Sequence, residues 1–186
     1  MNKKIKALIA VGGTGGHVFP GINLASFLKE KNYNVKIVTD KRGYKFFKEK
    51  EKTNVSIFPS SPLIKNNVFL LIFSLSLILY SILRALLFLL YNRPNIIFGM
   101  GGYASFPICI AAAILRIKFI IYENNLIIGR ANKKLLPFAK RILVSNKKLE
   151  GISSKYNFKI DEVGNIINRK IINLSFDFKI RKSELK

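Results

Sequence analysis

The chain has 186 residues, of which 49% are hydrophobic; that is enough for one domain with a core of its own. Lys and Arg number 32 against 10 Asp and Glu, and the net charge of +22 favours anionic partners: nucleic acid, anionic lipid or phosphorylated substrates. Abundant Lys, Asn, Ile and Phe is also what a genome rich in A and T produces, so the charge speaks to partners and not to fold. The lone Cys109, in an apolar run, excludes an internal disulfide and fits a reducing compartment and a core position. No zinc-finger spacing, RNP-type motif or interleaved basic and aromatic platform occurs, which argues against nucleic acid as a partner.

From the N-terminus, Met1 to Lys4 is basic, and the apolar run that follows is short and ends in glycines, not in a cleavage site. No signal peptide is expected. Strand-like runs are predicted at Ile5–Val11, Val35–Thr39, Val55–Phe58, Asn95–Phe98, Lys118–Tyr122 and Arg141–Val144, with a weaker one near Lys159–Val163. Helical spacing is predicted between them over Gly21–Lys31, Gly43–Lys50, Asn67–Asn92, Pro107–Leu115 and Arg130–Phe138. Pro107 suits a first helical turn, and Asn92-Arg93-Pro94 reads as a helix end. Alternating strands and helices predict an α/β domain: a Rossmann-like parallel sheet with helices on both faces, over residues 1–165. The tail, 166–186, is rich in Lys, Asn and Ile and reads as a linker. Ligands of such sheets bind beyond the carboxyl ends of the strands, so the glycines at Gly12–Gly16, Gly99–Gly102 and Gly164 should converge on one crevice.

The first of these turns, Gly12-Gly13-Thr14-Gly15-Gly16, lies between a strand and a helix, the arrangement that turns backbone N–H groups towards a phosphate. His17, the only histidine, sits at its mouth. A phosphate cradle beside one titratable group points to transfer chemistry on a phosphorylated substrate.

Asn66 to Leu83 carries no charge, and apolar residues continue past Arg84 to Tyr91, a length that could span a bilayer. A single span would put the strands before and after it on opposite sides of the membrane, where they could not share a sheet. Basic residues also flank both ends, including Lys65 and Arg93. The polar positions Asn67, Ser74, Ser81 and Asn92 fall near one narrow stripe, and the rest of the circumference is apolar. The expected arrangement is a helix packed on the sheet that lends apolar surface to lipid.

Three motifs stand together: GGTGGHVFPG at Gly12–Gly21, GMGGYASFP at Gly99–Pro107 and YENN at Tyr122–Asn125, with VGN at Val163–Asn165. The set resembles the N-terminal half of the bacterial peptidoglycan glycosyltransferases that convert lipid I to lipid II, from about Ile5 to Asn165. The resemblance implies a two-domain GT-B architecture, with this chain as the acceptor-binding, membrane-associated half. The implied reaction is inverting transfer of N-acetylglucosamine from UDP-N-acetylglucosamine to undecaprenyl-diphosphate-linked N-acetylmuramoyl-pentapeptide. It takes place at an anionic membrane surface, peripherally on the cytoplasmic face of the inner membrane, without cofactor or metal.

The residues suit those roles. Amides at Gly12, Gly13, Gly99, Gly101 and Gly102, with Tyr103, are candidates to hold the acceptor diphosphate. His17 suits general-base work by its ordinary pKa, the alternative being that it caps or orients the loop. Glu123 is the rival base; its alternative is a structural partner for backbone N–H groups or Lys133. The resemblance implies donor contacts at Thr14, Gly15, Gly16, Asn125 and Arg169. Tyr103 and Ser105 are expected to shape the acceptor loop, and Lys41, Arg42 and Lys45 to form a solvated face.

The chain departs from the family pattern in three ways. Tyr122 stands where the family has the histidine of HEQN. Gly164-Asn165-Ile166-Ile167-Asn168-Arg169 replaces GNPVR, losing the proline and shifting the arginine. The residues after Asn165 are too few for the donor-binding domain that the family implies as a partner. A non-catalytic membrane-anchoring subunit of a two-chain glycosyltransferase is therefore the alternative function, and a plain lipid-phosphate binder the third.

Overall fold

The computed structural model describes residues 4–62 and 67–167. Strands β1 (Lys6–Ala10), β2 (Asn34–Thr39), β3 (Val55–Ile57), β4 (Ile96–Gly99), β5 (Phe119–Glu123), β6 (Arg141–Val144) and β7 (Ile160–Glu162) form one parallel sheet in the order β3-β2-β1-β4-β5-β6-β7. Strand order reverses between β1 and β4, and that switch point is where a crevice opens in a doubly wound sheet. Side chains alternate across β1: Leu8 and Ala10 join the core on one face, and Ala7 and Ile9 join the core on the other. Helices α1 (Gly15–Glu30), α2 (Lys41–Tyr44) and α3 (Glu49–Lys52) follow β1 and β2. Helices α4 (Val68–Asn92), α5 (Ser105–Ile114) and α6 (Arg130–Leu135) follow β3, β4 and β5. Val18, Ala25 and Leu28 of α1 fill one face; Ala85 and Leu89 of α4 with Ile108 and Leu135 fill the other. The expected Rossmann-like sheet with helices on both faces is what the chain forms.

Four element boundaries differ from the sequence reading. Helix α1 starts at Gly15, not Gly21, so Gly15 and Gly16 of the glycine turn, with His17 and Pro20, lie inside it. The helix expected over Gly43–Lys50 is two short turns. Asp40 caps the first by accepting from the Arg42 and Gly43 N–H groups, and Phe47 then folds into the core between them. Helix α6 ends at Leu135, ahead of Pro137, which has no N–H to extend it. In α5, Pro107 is the third residue rather than the first, still among the leading positions that need no intrahelical donor.

Helix α4 has an inverted surface. Its buried residues are Ser74, Ser81, Ala85 and Leu89, and the Ser81 hydroxyl donates to the Pro59 carbonyl at 2.7 Å. Large apolar side chains point outward, among them Phe69 (82% exposed), Leu87 (70%) and Tyr91 (89%). The helix is long and apolar enough to cross a membrane. Yet β3 before it and β4 after it belong to one sheet, so it cannot cross with one strand on each side. Its C-terminal half packs through Ala85 and Leu89 on the core under the sheet.

Candidate active site

The loops after β1 and β4 meet at the switch point. They approach so closely that a Cβ on Gly12 would lie 2.5 Å from Gly102 Cα. Only paired glycines permit this contact, and Gly102 also takes the left-handed conformation, with φ +78°. The Met100 N–H donates to the Ala10 carbonyl at 2.8 Å, tying the two loops at their roots. Ser105, buried, donates from its hydroxyl to the Gly102 carbonyl at 2.9 Å and shapes the second loop, as expected.

Helix α1 begins here without a side-chain cap: Thr14 is the N-cap, but its hydroxyl makes no capping bond. Helix α5 begins beside it, likewise without a side-chain cap at Ala104. Two helix N-termini without side-chain caps thus share one rim, an arrangement that favours an anion. Gly16 has open space around it and Thr14 is exposed.

His17 is the third residue of α1, and its Cε1–Nδ1 edge faces the second loop. A Cβ on Gly101 would lie 2.9 Å from Nδ1, and Gly101 has φ +89°. Burial lowers the imidazole pKa below its ordinary 6.5, against the opposing pull of the Glu123 charge and a hydrogen bond with the Met100 backbone. Burial prevails, so the ring is neutral at pH 7.

Glu123, at the end of β5, is 1% exposed. Its Oε1 accepts from the Asn125 N–H at 3.1 Å and the Asn125 Nδ2 at 2.7 Å, and its Oε2 accepts from the Gly129 N–H at 2.9 Å and Asn132 Nδ2 at 3.0 Å. Both oxygens are therefore engaged in holding the loop after β5. These bonds match the structural alternative for Glu123, with Asn125, Gly129 and Asn132 in place of Lys133.

The other sequence-derived positions divide. Gly13, Thr14, Gly15, Gly16, Gly101, Gly102 and the exposed Tyr103 lie on the loops of this rim, and Asn125 is exposed on the loop after β5. Gly99 does not face the crevice. It is the last residue of β4, buried, and a Cβ there would meet Cys109 Sγ at 2.7 Å, so its glycine serves strand-to-helix packing. Gly12 is likewise buried in the loop-to-loop contact. Arg169 lies outside the described residues. Gly164 does reach the rim: Tyr122 donates from its hydroxyl to the Gly164 carbonyl at 3.1 Å and accepts from the Ile166 N–H at 3.3 Å. Asn23 of α1 donates to the Ile166 carbonyl at 3.3 Å. Ile166, expected in a linker, packs against the core.

Three residues of the site escaped the sequence reading. Asp40 accepts from Arg42 at 2.8 Å and from the Ser60 hydroxyl at 2.8 Å, and a Cβ on Gly13 would strike this cluster at 2.6 Å from Arg42 Nε. Burial raises the Asp40 pKa, but the Gly43 N–H, Arg42 and Ser60 together hold it below the ordinary 3.8. The resulting stability is present above that value and is lost as pH falls through the lowered one. Arg42, expected on a solvated face, therefore stands beside the phosphate-type turn. A cleft of about 460 Å³ runs from it between the end of β3 and α4, lined by Phe58, Ser60, Leu77, Tyr80 and Arg84. The signal for Asp40 was there, since a carboxylate immediately before a helical turn is a capping pattern. For Asn132, buried and bridging the Tyr122 carbonyl and Glu123, no local signal exists. The third, Asn124, donates to the Gly16 carbonyl at 3.3 Å.

Residues 7–144 match the glycosyltransferase family 28 N-terminal domain. The chain belongs to that family. It is 35% identical over 175 residues to the UDP-N-acetylglucosamine–N-acetylmuramyl-(pentapeptide) pyrophosphoryl-undecaprenol N-acetylglucosamine transferase of Pelagibacter ubique, covering 93% of this chain and 47% of that protein. The enzyme of the same name from Rickettsia canadensis is 35% identical over 170 residues, with 91% and 46% covered. The chain thus spans about half the length of the curated relatives it matches. Among solved structures, MurG of Acinetobacter baumannii superimposes with a TM-score of 0.66 at 20% identity, over 87% of this chain and 45% of that one. A UDP-GlcNAc 2-epimerase from Neisseria meningitidis, bound to UDP-GlcNAc, gives 0.60 at 14% identity, over 87% and 46%. These likenesses place the family 28 domain on the fold of the N-terminal half of a GT-B glycosyltransferase.

Proposed function

We propose that this chain is the acceptor-binding half of an inverting N-acetylglucosaminyltransferase. It would transfer N-acetylglucosamine from UDP-N-acetylglucosamine to undecaprenyl-diphosphate-linked N-acetylmuramoyl-pentapeptide. The observation that carries the reading is the convergence of two uncapped helix N-termini on one glycine-lined rim, with His17 between them. The amides of Gly13, Gly101 and Gly102 face the acceptor diphosphate, and Tyr103 borders it. Arg42 adds positive charge from the side. Thr14, Gly15, Gly16 and Asn125 face the donor, together with Arg169 as the resemblance implies.

The acceptor sugar hydroxyl attacks the anomeric carbon of the donor. The bond from that carbon to the β-phosphate oxygen breaks and UDP leaves. The hydroxyl proton passes to Nε2 of His17, whose other ring edge is held against the Met100–Gly101 peptide. Glu123 touches neither substrate and fixes the loop that carries Asn125. The outward apolar face of α4 rests on the cytoplasmic surface of the inner membrane without crossing it, and the excess of Lys and Arg meets anionic lipid. The cleft between Arg42 and α4 then joins the phosphate rim to the lipid-facing side.

The test is titration of the 186-residue chain with a short-chain lipid I analogue and with the same analogue lacking its diphosphate. The diphosphate form should bind at least about tenfold more tightly, and turnover of UDP-N-acetylglucosamine should be negligible until a donor-binding half is supplied. Equal binding of the two analogues refutes the acceptor site. Brisk transfer by the chain alone refutes the division of labour.

A further inference from the structure

Pro20 is the sixth residue of α1 and has no N–H, so the Gly16 carbonyl is left without its helical donor four residues on. The proline ring also crowds that carbonyl and tilts it off the helix axis. The Asn124 side chain occupies the gap, with Nδ2 3.3 Å from the Gly16 oxygen. Asn124 is itself fixed. Its own carbonyl accepts from the Ser145 hydroxyl at 3.0 Å, and its neighbour Glu123 is buried in four hydrogen bonds. Gly16 directly precedes His17 in the chain.

We propose that Asn124 is a positioning residue for His17: its amide takes the carbonyl that Pro20 leaves open and so locks the turn that carries the imidazole. The ring lies against the Met100–Gly101 peptide at the end of β4, and the backbone that bears it is bonded at Gly16 by Asn124 at the end of β5. The charged group facing it is Glu123 on β5. Met100 and Gly101 bring none from β4, and α1 has no charged residue before Lys29. Loosening the turn exposes the ring and relieves the burial that lowers its pKa.

The inference rests on the reading of His17 as the base only for its consequence in turnover. Its test needs no turnover, so the two fail separately. As the single histidine, His17 gives one assignable imidazole signal in NMR. Asn124→Ala should raise its titration midpoint towards the ordinary 6.5. Pro20→Ala returns an N–H to the Gly16 carbonyl, so in that background Asn124→Ala should leave the midpoint where Pro20→Ala alone puts it. No shift in the unsubstituted background, or an equal shift in both, overturns the proposal. Should Asn124→Ala not fold, the unsubstituted chain decides. A through-hydrogen-bond coupling between Asn124 Nδ2 and the Gly16 carbonyl carbon supports it, and a freely exchanging Asn124 amide overturns it.

Discussion

Helices α1 and α4 follow opposite rules. Helix α1 buries Val18, Ala25 and Leu28 and offers backbone amides and an imidazole at its open end. Helix α4 buries serines and turns leucines and phenylalanines outward, and at its start Asn67 caps it by accepting from the Phe69 N–H at 2.8 Å. A helix that faces water buries its apolar stripe. Helix α4 departs from that rule by exposing leucines and phenylalanines while burying Ser74 and Ser81 beside Ala85 and Leu89, which is what supports the membrane-facing surface proposed above. In the proposed function the contrast also separates the two ends of an amphiphile, α1 taking the phosphate and α4 the hydrocarbon.

The contrast breaks most readily on the outer face of α4. Replacing Leu79, Leu83 and Leu87 together with Ser should weaken retention on phosphatidylglycerol vesicles by about a thousandfold, measured by sedimentation. The melting temperature should move by about 2 °C or less. Unchanged retention would mean that this face does not meet lipid.

Next in size is His17→Ala, measured with a donor-binding half supplied. It should lower turnover about a hundredfold or more while barely changing the melt. In the unsubstituted protein, the acid limb of the rate profile should fall below pH 6.5, because burial lowers the imidazole pKa and the neutral ring is the working form.

A third comparison lies within the α1 turn. Gly12→Ala places a Cβ against Gly102 backbone and should cost about 1–3 kcal/mol in denaturant melts. Gly16→Ala meets nothing and should add about 0.5–1 kcal/mol of stability while weakening binding of the diphosphate analogue. Stability and binding moving together at position 16 would argue against a ligand there.

The smallest effect sharpens the α4 reading. Ser81→Ala removes the bond to Pro59 and should cost about 1 kcal/mol, whereas Ser76→Ala, on the exposed side, should be near neutral in the same melt.

Much of this was legible in the chain. Apolar runs marked the inner strands, because parallel strands buried on both faces read as continuous hydrophobic stretches; β7, an edge strand with Asp161 and Glu162 exposed, gave only a weaker signal. The convergence of Gly12–Gly16 with Gly101–Gly102 followed from their place after strands. The start of α1 was misread because Pro20 and Gly21 resemble a boundary. The residue that donates to the Gly16 carbonyl Pro20 leaves open, Asn124, is more than a hundred positions away in sequence. Glu123 was visible as a carboxylate at a strand end, but only the fold gathers Asn125, Gly129 and Asn132 around it. Gly99 looked like part of a phosphate loop, and the sulfur behind it could not be seen in a one-dimensional pattern.

The Tyr122 hydroxyl fastens Gly164 and Ile166 to the tip of β5, and Asn23 fastens Ile166 to α1. The polypeptide therefore passes the rim as a tether moored to the same strand and helix that bear Asn124 and His17. The chain thus reaches Ile167 from a point fastened both to the strand that bears Tyr122 and to the helix that bears His17.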